Sequence, residues 1–246
     1  MPLGSVAAGK KIVKVDVGYD QGPGIGGYRG FLDDLKISDL DSAPKFRTSA
    51  EAGETALTWT NSVDSGGYPH GGLVNVGGLC CDLTGPELKA GAAPPAARTG
   101  SNFIMYSGKD TSDKESYSYT RAFSLGETYV TPSTRLSYWV YPQSKAAFGW
   151  VTGNNSSCVA VDLLLQDQID GSVVPLRSTA AKDQRGNRAH PAHQCGKLTL
   201  DTWNFVSVDL GPVANGKRIT QIAIGYDQAA STGGYRGMVD DVRITQ

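Results

Sequence analysis

Short runs of β-branched and aromatic residues recur along this chain, each ended by a cluster of Gly, Ser, Asn or Asp. Leu57 to Val63, Phe103 to Ser107, Ser116 to Ser124, Arg135 to Tyr141, Cys158 to Gln166, Ser172 to Ser178 and Trp203 to Leu210 each read as a strand. No window of eleven residues carries an i, i+3, i+4, i+7 apolar stripe, so helix is confined to at most a turn near Pro86-Glu87-Leu88. With a closing pair described next, nine or ten strands at spacings of 8 to 20 residues predict an all-β, antiparallel two-sheet β-sandwich of jelly-roll type. Trp59, Trp139 and Trp203 fall inside strand patterns and are expected in its core.

The closing pair is part of an internal repeat. Shifted by 207 positions, Gly9 to Ser38 falls on Gly216 to Thr245 without a gap, and 15 of the 30 positions are identical. The shared skeleton is Gly-Tyr-Asp-Gln at 18 to 21 and 225 to 228, Gly-Gly-Tyr-Arg-Gly at 26 to 30 and 233 to 237, and Asp-Asp at 33 to 34 and 240 to 241. Each copy reads as two strands joined by a loop, a hairpin, because Val15 and Val17 answer to Ile222 and Ile224, and Leu35 and Ile37 to Val242 and Ile244. Taken as a repeat length, the offset makes residues 41–246 a complete module and residues 6–40 the closing hairpin of a preceding copy plus linker, with residues 1–5 a cloning remnant. A rival reading makes the two hairpins pseudo-symmetric halves of one sandwich. A hairpin with uncovered edges invites strand exchange, which opens a route to a homo-oligomer.

Charge and composition narrow the partners. With 23 basic and 24 acidic side chains the net charge is -1, which removes the electrostatic case for nucleic acid or an anionic membrane surface. The longest apolar runs, such as Val159 to Leu165 with Asp162 inside it, fall far short of the ~20 residues of a membrane-spanning helix. Four cysteines, Cys80, Cys81, Cys158 and Cys195, lack metal-type spacing and permit three pairings. A strand from Cys158, a turn at Asp170-Gly171 and a return through Thr179 bring the polar loop 180–196 back beside Cys158. That favours Cys158 with Cys195 and leaves Cys80 and Cys81 as a vicinal pair, while crossed bridges or reduced thiols stay open. Disulfides in either pattern point to an oxidising compartment, so a secreted or cell-surface protein is expected.

A glycosidase needs two facing acids, and Glu51, Glu54, Glu87, Glu115 and Glu127 sit in loops or strand margins with no pairing context. Alternation along the last strand points Asp240 to the side of Val242 and Ile244. An inward carboxylate wants a cation: a structural calcium held by Asp240 and Glu51 is one answer, loop amides or Arg236 the other. Pro191 between His190 and His193 argues against a zinc face, and no G-x-S-x-G context supports a nucleophile. Sugars ask for a flat apolar surface with planar polar side chains around it. Tyr68 and His70 in a glycine-rich loop and Trp150 in the loop 146–155 are the expected platforms, with Asp183, Arg188, His190 and His193 as a hydrogen-bonding wall.

Ala56-Leu57-Thr58-Trp59-Thr60-Asn61, Asn75 to Cys81, Met105-Tyr106-Ser107-Gly108, Leu136-Ser137-Tyr138-Trp139 and Val239-Asp240-Asp241-Val242 together resemble accessory carbohydrate-binding-type jelly-roll modules, galactose-binding-like in fold. Such modules are attached to secreted, chiefly actinobacterial, glycoside hydrolases, and the likeness spans about 48 to 245. It implies a structural calcium at Glu51 and Asp240, a glycan or polysaccharide partner, and no catalytic residue. The expected function is therefore a non-catalytic module that tethers an appended glycoside hydrolase to its polysaccharide. The alternative is a structural tandem repeat of an adhesin, stalk or filament, with residues 6–40 as its assembly element.

Overall fold

The computed structural model describes residues 15–20, 22–30, 44–55, 57, 63–67, 73–74, 87–92, 95–110, 113–144 and 155–246. The chain divides into two units, Met1–Asp39 and Leu40–Gln246. In the second unit the strands are β1 (Phe46–Thr48), β2 (Val63–Gly67), β3 (Leu73–Val74), β4 (Glu87–Gly91), β5 (Phe103–Asp110), β6 (Ser116–Ser124), β7 (Arg135–Pro142), β8 (Val159–Gln166), β9 (Val173–Pro175), β10 (Asn204–Asp209), β11 (Arg218–Gln228) and β12 (Gly233–Thr245). One sheet of seven strands runs β10-β7-β12-β5-β3, with β1 on β12 and β4 on β5, and a sheet of five runs β2-β6-β11-β8-β9. Ladder pairs such as β12 with β7 and β11 with β8 are antiparallel, and from β5 to β8 each strand crosses to the opposite sheet, which is the jelly-roll alternation expected.

Alternation explains why the sheets stack. Leu136, Val140, Val206, Val208, Val239, Val242 and Ile244 meet Phe123, Val161, Leu163, Leu165, Ile222 and Ile224 in one buried cluster between the two layers. Polar bonds cross the same space, Tyr106 Oη lying 2.6 Å from Ser118 Oγ.

The closing pair is not a hairpin. β11 is the central strand of the five-stranded sheet and β12 the central strand on the path of the seven-stranded one, so the two never bond each other. They meet through Tyr226 and Tyr235, whose buried rings stack at 3.7 Å and 5° across the core. Tyr226 Oη donates to Asp110 (3.0 Å) and accepts from Asn155 Nδ2 (3.2 Å). In the first unit, residues 15–20 and 22–30 form no strand, yet Tyr19 and Tyr28, the equivalents of that pair, stack at 3.9 Å and 4°.

Other expectations shift for local reasons. The segment at Glu87 is strand β4, not a helical turn, because Leu88 is buried and pairs with Tyr106 on β5. One-turn helices form instead at Pro191–Gln194 (α1) and Gly211–Ala214 (α2), each with proline in its first turn, where the missing N–H costs nothing. The segment Ser172 to Ser178 is a short β9 followed by a 3₁₀ turn at Leu176–Ser178. Trp139 and Trp203 are half-buried rather than in the inter-sheet core: Trp139 alternates away from Leu136, Tyr138 and Val140 and lies on the outer side of the seven-stranded sheet. Trp59 lies outside the described residues.

Candidate functional site

The outer side of the five-stranded sheet carries the polar side chains that its inner side excludes. Inward Ser118 and Thr120 leave Tyr117, Tyr119 and Arg121 outward on β6, and inward Ile222, Ile224 and Tyr226 leave Ala223, Gly225 and Asp227 outward on β11. On β8 the outward residues are Ala160, Asp162 and Leu164. Ladder register sets these side by side: Gly225 opposite Tyr119 and Ala160, Ala223 opposite Arg121 and Asp162.

Gly225 decides the local shape. A Cβ there would collide with the Tyr119 ring, so the absent side chain is what lets Tyr119 lie across the sheet. The Arg177 guanidinium covers that ring at 3.6 Å from its centroid and pairs with Asp162. Asp162 also accepts the amides of Leu163 (2.9 Å) and Arg177 (3.1 Å), which is why a carboxylate is tolerated in an otherwise apolar strand. Burial still holds its carboxyl above the ordinary range, against the pull of Arg177.

From Tyr119 the network continues to the loop. Tyr119 Oη donates to Asp227 Oδ2 at 2.7 Å, and His190 Nε2 stands 3.9 Å from the same oxygen. His190 Nδ1 accepts the Ala192 amide at the start of α1, so the neutral ring carries its proton on Nε2, toward Asp227. Burial, then His193, Arg177 and Arg188, lower the His190 pKa to about 4, while burial raises that of Asp227 to about 6. His193 meets His190 edge to face at 5.4 Å and is exposed. Contacts thus run unbroken from Asp162 through Arg177, Tyr119, Asp227 and His190 to His193.

Four of the sequence-predicted wall residues are described. His190 and His193 join the network. Asp183 instead braces its own loop, accepting from the amides of Arg185 (2.8 Å) and Asn187 (2.9 Å), and Arg188 donates to the Thr179 carbonyl at 3.2 Å. Tyr68, His70 and Trp150, and the pair Cys80 and Cys81, lie outside the described residues. Cys158 and Cys195 are bridged, S–S 2.01 Å, tying the end of α1 to the start of β8. Sequence reasoning missed Tyr117, Tyr119, Asp162, Arg177 and Asp227. The Ser-Tyr-Ser-Tyr alternation at 116 to 119 and the lone Asp162 in an apolar run were the available signals.

A second aromatic group lies outside the seven-stranded sheet, where Trp139 packs on Phe205 at 5.2 Å under the Arg98 guanidinium at 4.4 Å. Beside it, Asp240 pairs with Trp139, not with the inner face. The register breaks between Asp240 and Arg243, and Asp241 adopts φ +51°, so this bulge turns Asp240 outward while Val242 stays in the core. Its Oδ2 accepts the amides of Arg98 (2.8 Å) and Thr99 (2.9 Å), its Oδ1 that of Asp241 (2.6 Å). Glu51 Oε1 takes the amides of Ser101 (2.7 Å) and Asn102 (2.6 Å), so the two acids grip one loop from both ends. Among the described residues no group of three or more His, Cys, Asp or Glu converges on a metal-sized space, and no helix is long and apolar enough to cross a membrane.

No protein-family model matches the chain, and no curated protein matches its sequence. Among solved structures it is similar to the glycoside hydrolase domain of Endo-D from Streptococcus pneumoniae R6, at 16% identity and TM-score 0.38, over 70% of this chain but 21% of that one. A carbohydrate-binding module of the β-sandwich superfamily aligns at 15% identity and TM-score 0.40, over 72% and 58% of the two chains. The family 11 carbohydrate-binding module of Clostridium thermocellum, solved with a β-1,3-1,4-mixed-linked tetrasaccharide, aligns at 12% identity and TM-score 0.40, over 80% and 94%. At these scores the likeness carries no argument about function. The functional reading rests on the site.

Proposed function

We propose that this protein is a secreted, non-catalytic carbohydrate-binding module whose glycan lies on the outer face of the five-stranded sheet. The observation that carries the reading is the unbroken contact chain from Asp162 to His193, which sets the Tyr119 ring, with Tyr117 tilted against it at 6.0 Å, beside a guanidinium, a carboxylate and two imidazoles. The half-buried Tyr117 ring suits the C–H side of a sugar ring, and the planar polar groups suit its hydroxyls. Asp162 is held by Arg177 and fully covered, which takes it out of reach as a partner acid for Asp227 in hydrolysis. Tethering of an appended glycoside hydrolase is the role such a module would serve, with weak single-site affinity made useful by proximity.

The test is a glycan array followed by calorimetry on the best ligand. Tyr117→Ala and His193→Ala should each weaken binding about tenfold, or ~1.4 kcal/mol, while Trp139→Ala on the opposite sheet should leave it unchanged. Affinity should rise with pH through about 6, because ionised Asp227 offers two charged acceptor oxygens to hydroxyls, where its acid form keeps one neutral acceptor. His190, neutral above about 4, contributes no step in that window. Asp227→Asn should abolish the step. Binding that depends on Trp139 and ignores Tyr117 would place the ligand elsewhere and end this reading.

Calcium at Glu51 and Asp240 belongs to the same proposal. Two carboxylates flanking one loop, beside the buried and unpartnered Ser49 hydroxyl, supply part of the oxygen set that calcium requires. A chelator should then lower the melting temperature by several degrees, reversed by added calcium. A midpoint indifferent to both leaves the amide grip as the whole account of these two acids. The Cys158–Cys195 bridge supports the secreted assignment.

A further inference from the structure

The N-terminal copy of the closing pair keeps features whose physical reasons exist only inside a sandwich. Gly225 is required because Tyr119 lies across it, and Gly237 because a Cβ there would strike Val159. At their equivalents, Gly18 and Gly30, a Cβ would meet nothing within 4 Å, so nothing in their own surroundings asks for glycine. Tyr226 and Tyr235 are 0% exposed, whereas Tyr19 and Tyr28 hold the same stacked geometry at 50% and 69% exposure. Val15 and Val17, which answer to the core residues Ile222 and Ile224, are exposed as well. Since β11 and β12 bond only to body strands and never to each other, the two arms of such a pair do not supply each other with a ladder partner.

We propose that residues 9–38 are a donor strand pair for a second sandwich body of this chain's own type, one whose β11 and β12 positions stand open. The occupant is identified by the repeat itself: a surface equivalent to β6 and β8 for the first arm, and to β7 and β5 for the second. This chain's own body is not that partner, because residues 218–245 fill both positions and are flanked by strands on either side. Asp16, which stands where the body has Ala223, would set a carboxylate between the residues equivalent to Arg121 and Asp162. The proposal predicts end-to-end linkage of modules by strand donation, independently of whether the sheet face binds sugar.

The test uses full-length chains. An acceptor carrying Gly225→Val and Gly237→Val has its own closing pair blocked by Tyr119 and Val159, and Gly18→Val with Gly30→Val in the same chain disables its N-terminal copy. Co-refolded with the wild type, this acceptor should be recovered as a 1:1 complex by native mass spectrometry, with more strand signal in circular dichroism than the two refolded apart. A donor carrying only Gly18→Val and Gly30→Val should rescue at least tenfold less. No complex with the wild type under conditions where the wild type itself refolds would overturn the proposal, as would equal rescue by the two donors. An acceptor that misfolds alone is the expected starting state. As a second measurement, Asp16→Cys in the donor and Arg121→Cys in the acceptor, equivalent to the cross-strand pair Ala223 and Arg121, should form a mixed disulfide only in the complex.

Discussion

Asp240→Ala is expected to lower the melting temperature by roughly 10–20 °C, the largest loss of any single substitution proposed for this fold. The carboxylate is 1% exposed and accepts three backbone amides, those of Arg98, Thr99 and Asp241. Alanine removes all three acceptors at once: the Asp241 amide is left buried without a partner, at about 1–3 kcal/mol, and the part-buried amides of Arg98 and Thr99 lose about 0.5–1.5 kcal/mol each, so the sum is ~2–6 kcal/mol. A domain stable by about 5–15 kcal/mol has little to spare beyond that. The loop 98–102 loses half its grip as well, since Glu51 holds only its far end. Asp240→Asn keeps the shape and an acceptor oxygen, and should fall between the two. Asp209→Ala is the control: its pairing with Arg135 at 2.7 Å is solvent-exposed, and such pairs contribute at most about 1 kcal/mol. Thermal melts in which Asp240→Ala does no more harm than Asp209→Ala would mean that the loop re-forms on water and that the amide clamp is incidental.

That residue also marks where sequence reading reached its limit. The alternation rule assumes an unbroken ladder, and a single bulge residue at Asp241 reverses the side on which every earlier residue of β12 falls. Val242 and Ile244 were legible as core, and Asp240 was legible as a buried acid, but not its side of the sheet. The two-sheet architecture was readable because each strand buries one face, and β6, β7 and β8 print that as alternating pattern or apolar run. The site was readable only in part. His190 and His193 stood out as side chains in a polar loop, whereas the floor beneath them depends on Arg177 returning across β9 to Asp162, fifteen residues earlier, and no local period announces such a pairing. The glycines of the repeat were visible as shared letters. Only the fold shows that Gly225 makes room for Tyr119, and that the closing strands face each other across the core instead of pairing.

Removing the Cys158–Cys195 bridge should separate the stability of the fold from the organisation of the site. The two cysteines are 37 residues apart, and closing a loop of that length restricts the unfolded chain by about 4 kcal/mol. The double variant Cys158→Ala/Cys195→Ala, which leaves no lone thiol, should therefore melt roughly 8–16 °C lower. Its effect on the site should exceed what global stability accounts for. Cys195 directly follows α1, and α1 is preceded by His190, whose ring caps it and faces Asp227. Without the bridge, the chain from Ala189 to Gly196 keeps the Gly196 amide on Ser157 Oγ at 2.7 Å and the Ala189 amide on the Ala181 carbonyl at 2.8 Å, but loses its covalent hold on β8. Measured at about 15 °C, where the variant is still folded, glycan affinity should drop by about tenfold, comparable with His193→Ala. Tyr117→Ala should give the complementary result, weaker binding with little change in melting temperature, since Tyr117 is only half-buried on the open side of β6. A double variant that melts lower yet binds as tightly as the wild type would show that the sheet alone holds the ligand and that the stapled histidine loop is a bystander.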